Sequence, residues 1–243
     1  MNNKLNSDVL RPPSLRLLLG EARVPLEVLR FLAAIRRLDD LPRGDGHPVM
    51  LVPGFGADDW VMSGLRGALC KLGYQAVGWE QGRNLGMRPD IRQNLVRRLA
   101  SLQSRHQSKV TLIGWSLGGV FVRELARAQP EQVRRVITMG SPINGDPEAN
   151  NMMPLFRLAN RGRAPKMDRE GFERRKLAPP VPCTAIYSRD DGIVAWQASL
   201  EESAPNTENI EVRGTHFGLV TNLQVLRVLA EVLTRDAKIS DRR

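Results

Sequence analysis

Ile113-Gly114-Trp115-Ser116-Leu117-Gly118-Gly119 is the stretch on which the reading of this chain turns. A buried-strand run from Val110 to Ile113 leads into it, and a helical pattern from Val120 to Ala128 leaves it. A Gly-x-Ser-x-Gly turn between a strand and a helix has the form of a nucleophile elbow, which holds a serine hydroxyl above a sheet on a sharp, strained turn. Gly114 and Gly118 supply positions without a Cβ, where strand and helix would otherwise collide. The pentapeptide alone is a modest signal, and its two flanks make it a specific one.

Working outward, short apolar runs alternate with helical patterns. Upstream, residues 49–52 read as a buried strand, followed by a helix capped by Asp58 or Asp59 that runs to about Leu72. Residues 74–79 read as the next strand. A helix from Pro89 or Asp90 to about Ser104 follows, with Ile91, Leu95, Leu99 and Leu102 at helical spacing. Downstream, residues 133–139 form another strand. The alternation then lapses between 143 and 180, where a small helical cap or lid is expected, because a structureless loop of that length is unusual. Strands at 183–188 and 209–213, a short helix at 196–201 and a closing helix at 222–235 complete the pattern. Apolar strands alternating with helices specify an α/β fold with a mostly parallel sheet covered on both faces. The expected organisation is an N-terminal helical extension over 1–47, an α/β domain over 48–236 with its cap at about 143–180, and a mobile tail over 237–243.

In the extension, Val24-Pro25 opens a helix whose Leu26, Leu29, Leu32, Ala33, Ile35 and Leu38 make a broad apolar face. Glu27, Arg30 and Arg37 form a polar stripe opposite. Such a helix is expected to bury its leucines on the body or over the active-site mouth, with an anionic membrane surface as a second setting.

Composition narrows the class. Hydrophobic residues are 42% of the 243 and charged residues 26%, which suits a globular protein, and no apolar stretch approaches the roughly 18 residues of a membrane span. Arg16 interrupts the leucine run of the first 20 residues and no small-residue cleavage site follows, so a cytoplasmic setting without a secretory leader is expected. Cys70 and Cys183 lack metal-ligand spacing and read as two buried, reduced thiols. The net charge is +10, and residues 157–176 carry eight basic groups against three acidic ones, half of that total. Solvated surface charge is the ordinary reading, with anionic lipid or substrate as alternatives. Zinc-finger spacing and an RNP-type strand are missing and aromatics are 5%, which argues against nucleic acid.

A serine hydroxyl is a poor nucleophile until a base takes its proton, so Ser116 implies a histidine held by a carboxylate. Of three histidines, His47 and His106 lie away from the carboxyl ends of the strands and read as solvent-facing. His216 follows the last strand in Arg213-Gly214-Thr215-His216-Phe217-Gly218, on the elbow's side of the sheet. The acid should leave the preceding strand at that same edge, where Asp190 and Asp191 stand side by side; Asp191 is preferred because Ile193-Val194 can bury the turn behind it. Val52-Pro53-Gly54-Phe55-Gly56 leaves the first strand with glycines that let backbone approach a ligand, so the N–H groups of Phe55 and Leu117 are the candidate oxyanion donors. No metal or organic cofactor is required. Phe55, Trp60, Met62, Met152, Met153, Leu155, Phe156 and Phe217 fall near the expected mouth, as substrate contacts or as core.

Elbow Ser116, acid Asp191 and His216 in that order, with Pro53-Gly54-Phe55-Gly56 upstream, resemble the α/β-hydrolase superfamily, in particular its compact lipase and esterase members. The resemblance spans about 48–236. It implies a sheet of about six strands lacking the two antiparallel strands that larger members place first. It also implies a serine carboxylic-ester hydrolase working through an acyl-enzyme on a small ester or lipid-like substrate. Acyl transfer or thioester cleavage at the same site, and a non-catalytic binding protein on the scaffold, are the competing readings. Pro53-Gly54 stands where many relatives have His-Gly, which leaves a backbone donor possible.

Overall fold

The computed structural model describes residues 10–144, 149–159 and 169–235, with only the backbone described for 169–172. Parts of the expected cap and the whole expected tail lie outside these residues.

Six strands form one parallel sheet: β1 (Pro48–Val52), β2 (Gln75–Val77), β3 (Val110–Trp115), β4 (Val133–Met139), β5 (Cys183–Tyr187) and β6 (Thr207–Glu211), in the order β2-β1-β3-β4-β5-β6. Every residue of β1 and β3 is buried, as near-continuous apolar strands require when helices cover both faces. Ile113 and Trp115 of β3 join one core layer, and Val110 and Leu112 join the other, following the twofold alternation of a strand. The first layer takes helices α3 (Ser63–Lys71) and α8 (Leu223–Arg235), through Leu65, Leu69, Leu226 and Leu229. The second takes α4 (Pro89–His106) and α5 (Leu117–Ala128), through Leu95, Leu99, Phe121 and Leu125.

The order of strands reverses between β1 and β3. In an open parallel sheet, the crevice beyond the carboxyl ends at such a switch point is where ligands bind. Here those ends carry Pro53-Gly54-Phe55-Gly56 and Ser116. The fold thus brings the two glycine-rich turns together.

Several local expectations shift. Helix α3 begins at Ser63 because Asp58 and Asp59 cap something else: Asp58 accepts from the Trp60 N–H, while the Asp59 carboxylate accepts from the Trp79 and Glu80 N–H groups beyond β2. Strand β6 pairs over 207–211 rather than 209–213; it is an edge strand, and its half-exposed faces blur the apolar signal. Cys70 is exposed and only Cys183 is buried, its thiol pushed up to about 12 by burial. His47 is buried rather than solvent-facing: its Nδ1 meets Asp45 and its Nε2 lies 2.9 Å from Thr111 Oγ1. Burial pushes the Asp45 carboxyl up, but His47 and Arg134 outweigh it and hold the group below its ordinary value.

Among the described cap residues are two short helices, α6 (Met153–Ala159) and α7 (Arg169–Lys176). The exit of α7 is bolted to the elbow helix. Arg123 of α5, fully buried, ion-pairs with buried Glu201 and donates to the carbonyls of Arg175, Lys176 and Leu177. Burial pushes the Glu201 carboxyl up, against the pull of Arg123. Removing one partner of such a pair strands the other's charge, so Glu201→Ala should lose about 3–5 kcal/mol in denaturant unfolding.

Two helices precede the sheet, α1 (Leu15–Gly20) and α2 (Val24–Ala34), joined by a 3-10 turn at Glu21–Arg23. The expected orientation of this helical segment holds only in part: Leu38 and Ile35 pack on the core and Arg30 and Arg37 face solvent, but the leucines of α2 do not turn inward. Phe31 and Leu38 enter the core, Glu27 faces the body, and Leu26, Leu29 and Leu32 remain exposed. The helical spacing allowed either face inward; what selects this one is that backbone N–H groups on the underlying loop need acceptors, which only the glutamate side provides.

Candidate active site

Ser116 sits between β3 and α5 with φ 53° and ψ −125°, a left-handed conformation that a serine adopts only when its surroundings impose it. Its N–H donates to the Met139 carbonyl at 2.9 Å. A Cβ at Gly114 would lie 2.5 Å from the Gly118 carbonyl carbon, and one at Gly118 would drive into the carbonyl oxygen of Val52. Glycine at both positions is therefore what permits the strained turn.

His216 and Asp191 arrive from the loops after β6 and β5. His216 Nε2 lies 3.0 Å from Ser116 Oγ, and His216 Nδ1 lies 2.7 Å from Asp191 Oδ2. Both imidazole and carboxylate are almost fully buried. The other carboxylate oxygen, Oδ1, accepts from the N–H groups of Ile193 and Val194, each at 2.8 Å. A carboxylate only accepts, so Nδ1 carries the proton and Nε2 is left to receive one from Ser116. Asp191, not Asp190, reaches the imidazole; the Asp190 N–H donates to Ser188 Oγ.

The loop after β1 presses on Ser116. A Cβ at Gly54 would stand 2.9 Å from Ser116 Cβ, which brings the backbone before Phe55 against the hydroxyl's own carbon. Leu117 opens α5, where the first-turn N–H groups have no intrahelical acceptor. Both candidate oxyanion donors thus flank Ser116.

Four contributors escape a sequence reading. Asn84, fully buried, pins the loop after β1: its side chain donates to the Pro53 carbonyl at 2.7 Å, and its carbonyl accepts from the Gly56 N–H at 2.7 Å. Gly140, at φ 53°, leaves room for the Asp191–His216 pair; a Cβ there would fall 3.0 Å from Asp191 Oδ2 and 3.2 Å from His216 Nδ1. Neither position belongs to a motif. The other two are the glutamates of the N-terminal helices.

The Glu21 carboxylate accepts from the N–H groups of Gly192 at 2.9 Å, His216 at 2.8 Å and Phe217 at 3.1 Å, so one side chain ties the Asp191 loop to the His216 loop. Glu27 accepts from the N–H and hydroxyl of Thr215. On the body side, Trp115 donates its indole N–H to the His216 carbonyl at 3.1 Å. Glu21→Ala leaves three backbone donors unpaired and lets the two loops drift. Misplacement of about 1 Å can cost 10²-fold, so kcat should fall by about that factor with KM little changed, the Nε2 proton acceptor being less well oriented. A purely structural role would lower the melting temperature and leave kcat of the folded protein unmoved.

The apolar residues expected near the mouth divide between surface and core. Phe55 packs edge-on against Phe156 with ring centroids 5.1 Å apart, and Phe217 lies against Trp115 and His216. Met62 belongs to the core under Phe31, and Trp60 stands 80% exposed. Among the described residues no cluster of His, Cys, Asp and Glu could hold a metal ion, and no helix is long and apolar enough to cross a membrane.

A model of the palmitoyl protein thioesterase family matches residues 62–189, just over half of the 243. The chain belongs to that family. The matched span of this palmitoyl protein thioesterase family member takes in the elbow and ends just before Asp191. No curated protein sequence matches significantly. The architecture is shared with solved α/β-hydrolase structures. One, from a study of the metagenome-derived lipolytic enzymes LipS and LipT, has 15% identity and a TM-score of 0.60, with 82% of this chain and 96% of that one covered. A Paleococcus ferrophilus monoacylglycerol lipase has 17% identity and a TM-score of 0.55, covering 79% and 96%. The thioesterase domain from the curacin biosynthetic pathway has 14% and 0.53, covering 79% and 93%. Family and fold put this chain among the hydrolases of the α/β-hydrolase superfamily.

Proposed function

We propose that this hydrolase cleaves acyl esters through a serine nucleophile and an acyl-enzyme. The observation that carries the reading is the continuous chain of contacts from Ser116 Oγ through His216 to Asp191, at 3.0 and 2.7 Å. His216 Nε2 takes the hydroxyl proton as Oγ attacks the acyl carbonyl, and Asp191 holds the imidazole's tautomer and offsets its positive charge. The N–H groups of Phe55 and Leu117 receive the oxyanion. His216 then hands its proton to the departing alcohol or thiol, and activates the water that releases the acid. Every step uses side chains and backbone of this chain. The 48–236 region is the catalytic domain and 143–180 its cap.

Match to the palmitoyl protein thioesterase family favours a second reading of the leaving group, in which the bond cleaved is a thioester. The apolar pair Phe55 and Phe156 beside the nucleophile suits a hydrophobic acyl chain in either case. A fluorophosphonate probe should add once, at Ser116, as read by peptide mass. Matched oxygen-ester and thioester series of increasing chain length then decide the leaving group. Absence of the adduct together with silence toward both series would leave a binding protein on a hydrolase scaffold.

A further inference from the structure

The N-terminal helices have two faces of opposite chemistry. Between residues 10 and 38 there are two acidic residues, Glu21 and Glu27, and both are turned inward and engaged by the backbone of the catalytic loops. The same span holds six arginines, at 11, 16, 23, 30, 36 and 37, and all are exposed. Between them stand leucines that the fold leaves uncovered: Leu15 is 70% exposed, Leu19 68% and Leu29 65%. The outward surface of residues 10–38 is therefore apolar and cationic, with the exposed Asp39 and Asp40 following at its end.

So many exposed leucines on two successive helices point to a surface that meets something. A second copy of this chain is disfavoured by charge, because an isologous contact would set this arginine-rich face against itself. We propose that residues 10–38 form a docking surface for an anionic lipid bilayer. The leucines enter the boundary between headgroups and acyl chains, and the arginines meet the lipid phosphates. Phe217, partly exposed and bound through its N–H to Glu21, borders this face and follows His216 directly. The docked bilayer accordingly adjoins the rim of the proposed active site, from which an acyl chain could be taken up. That consequence rests on the hydrolase reading; docking itself does not.

The test is co-sedimentation of the full chain with vesicles of phosphatidylcholine alone and of an equimolar mixture with phosphatidylglycerol. Binding to the mixed vesicles is expected, weakening as salt is raised. Leu15→Ser, Leu19→Ser and Leu29→Ser should each lower the partition coefficient by about tenfold. Because these side chains are exposed, the variants should keep the wild-type melting temperature. Arg16→Glu with Arg30→Glu should abolish the preference for the anionic mixture. Ser116→Ala protein should sediment like wild type, which separates this proposal from the hydrolase reading. Failure to bind mixed vesicles at low salt, or binding unchanged by the leucine substitutions, overturns it. So does a dimer in light scattering that the same substitutions dissolve, which would give the face to a second copy.

Discussion

Turnover of a chromogenic acyl ester should fall by about 10⁴- to 10⁶-fold when Ser116 is replaced by alanine. The substitution removes one oxygen. The backbone at this position already holds φ 53°, and alanine tolerates that conformation no worse than serine, so the elbow and its packing persist. What disappears is the atom 3.0 Å from His216 Nε2, and with it the proposed acyl-enzyme. Residual rate would come from the backbone donors and from binding alone. An unchanged melting temperature with lost turnover is the expected pair of results; turnover within tenfold of wild type would mean that another group attacks the substrate.

Asp191→Asn should cost about 10⁴-fold in kcat, with little change in fold. Oδ1 of the asparagine can go on accepting from the Ile193 and Val194 N–H groups, so the turn stays closed. The amide nitrogen then occupies the position of Oδ2 and offers a hydrogen where Nδ1 also needs to donate. To relieve that clash the imidazole takes the other tautomer, with the proton on Nε2, and can no longer accept one from Ser116. Asp190→Asn, one residue away, makes no contact with the ring and should leave kcat within a few-fold of wild type. Equal losses from both substitutions would point to damage in the loop rather than to the tautomer.

These two aspartates show how far local pattern reaches. Asp191 was distinguishable because Ile193 and Val194 follow it at a spacing that buries a turn. The turn does close that way, with the carboxylate receiving both N–H groups. The elbow is legible for a similar reason: Gly114 answers a contact with Gly118, four residues on, although Gly118 itself answers the distant Val52 carbonyl, which no local pattern shows. Helix α2 is not. Its leucines are spaced for burial, yet Leu26, Leu29 and Leu32 stay exposed and Glu27, from the polar stripe, meets the body. His47 misled in the same way, since the buried partner that receives its Nε2 is Thr111, 64 positions away.

The sequence by itself determined the alternation of strand and helix, the parallel sheet, and which serine, aspartate and histidine lie at its carboxyl edge, because each depends on the chemistry of a few neighbouring residues. Only the tertiary structure decided what holds those residues in register. Glu21 bridges the Asp191 and His216 loops from about 170 and 195 positions away, and Asn84 braces the loop after β1 from 31. Unpaired backbone donors in a loop bind whatever acceptor the fold brings to them, and a linear pattern carries no record of which one that will be.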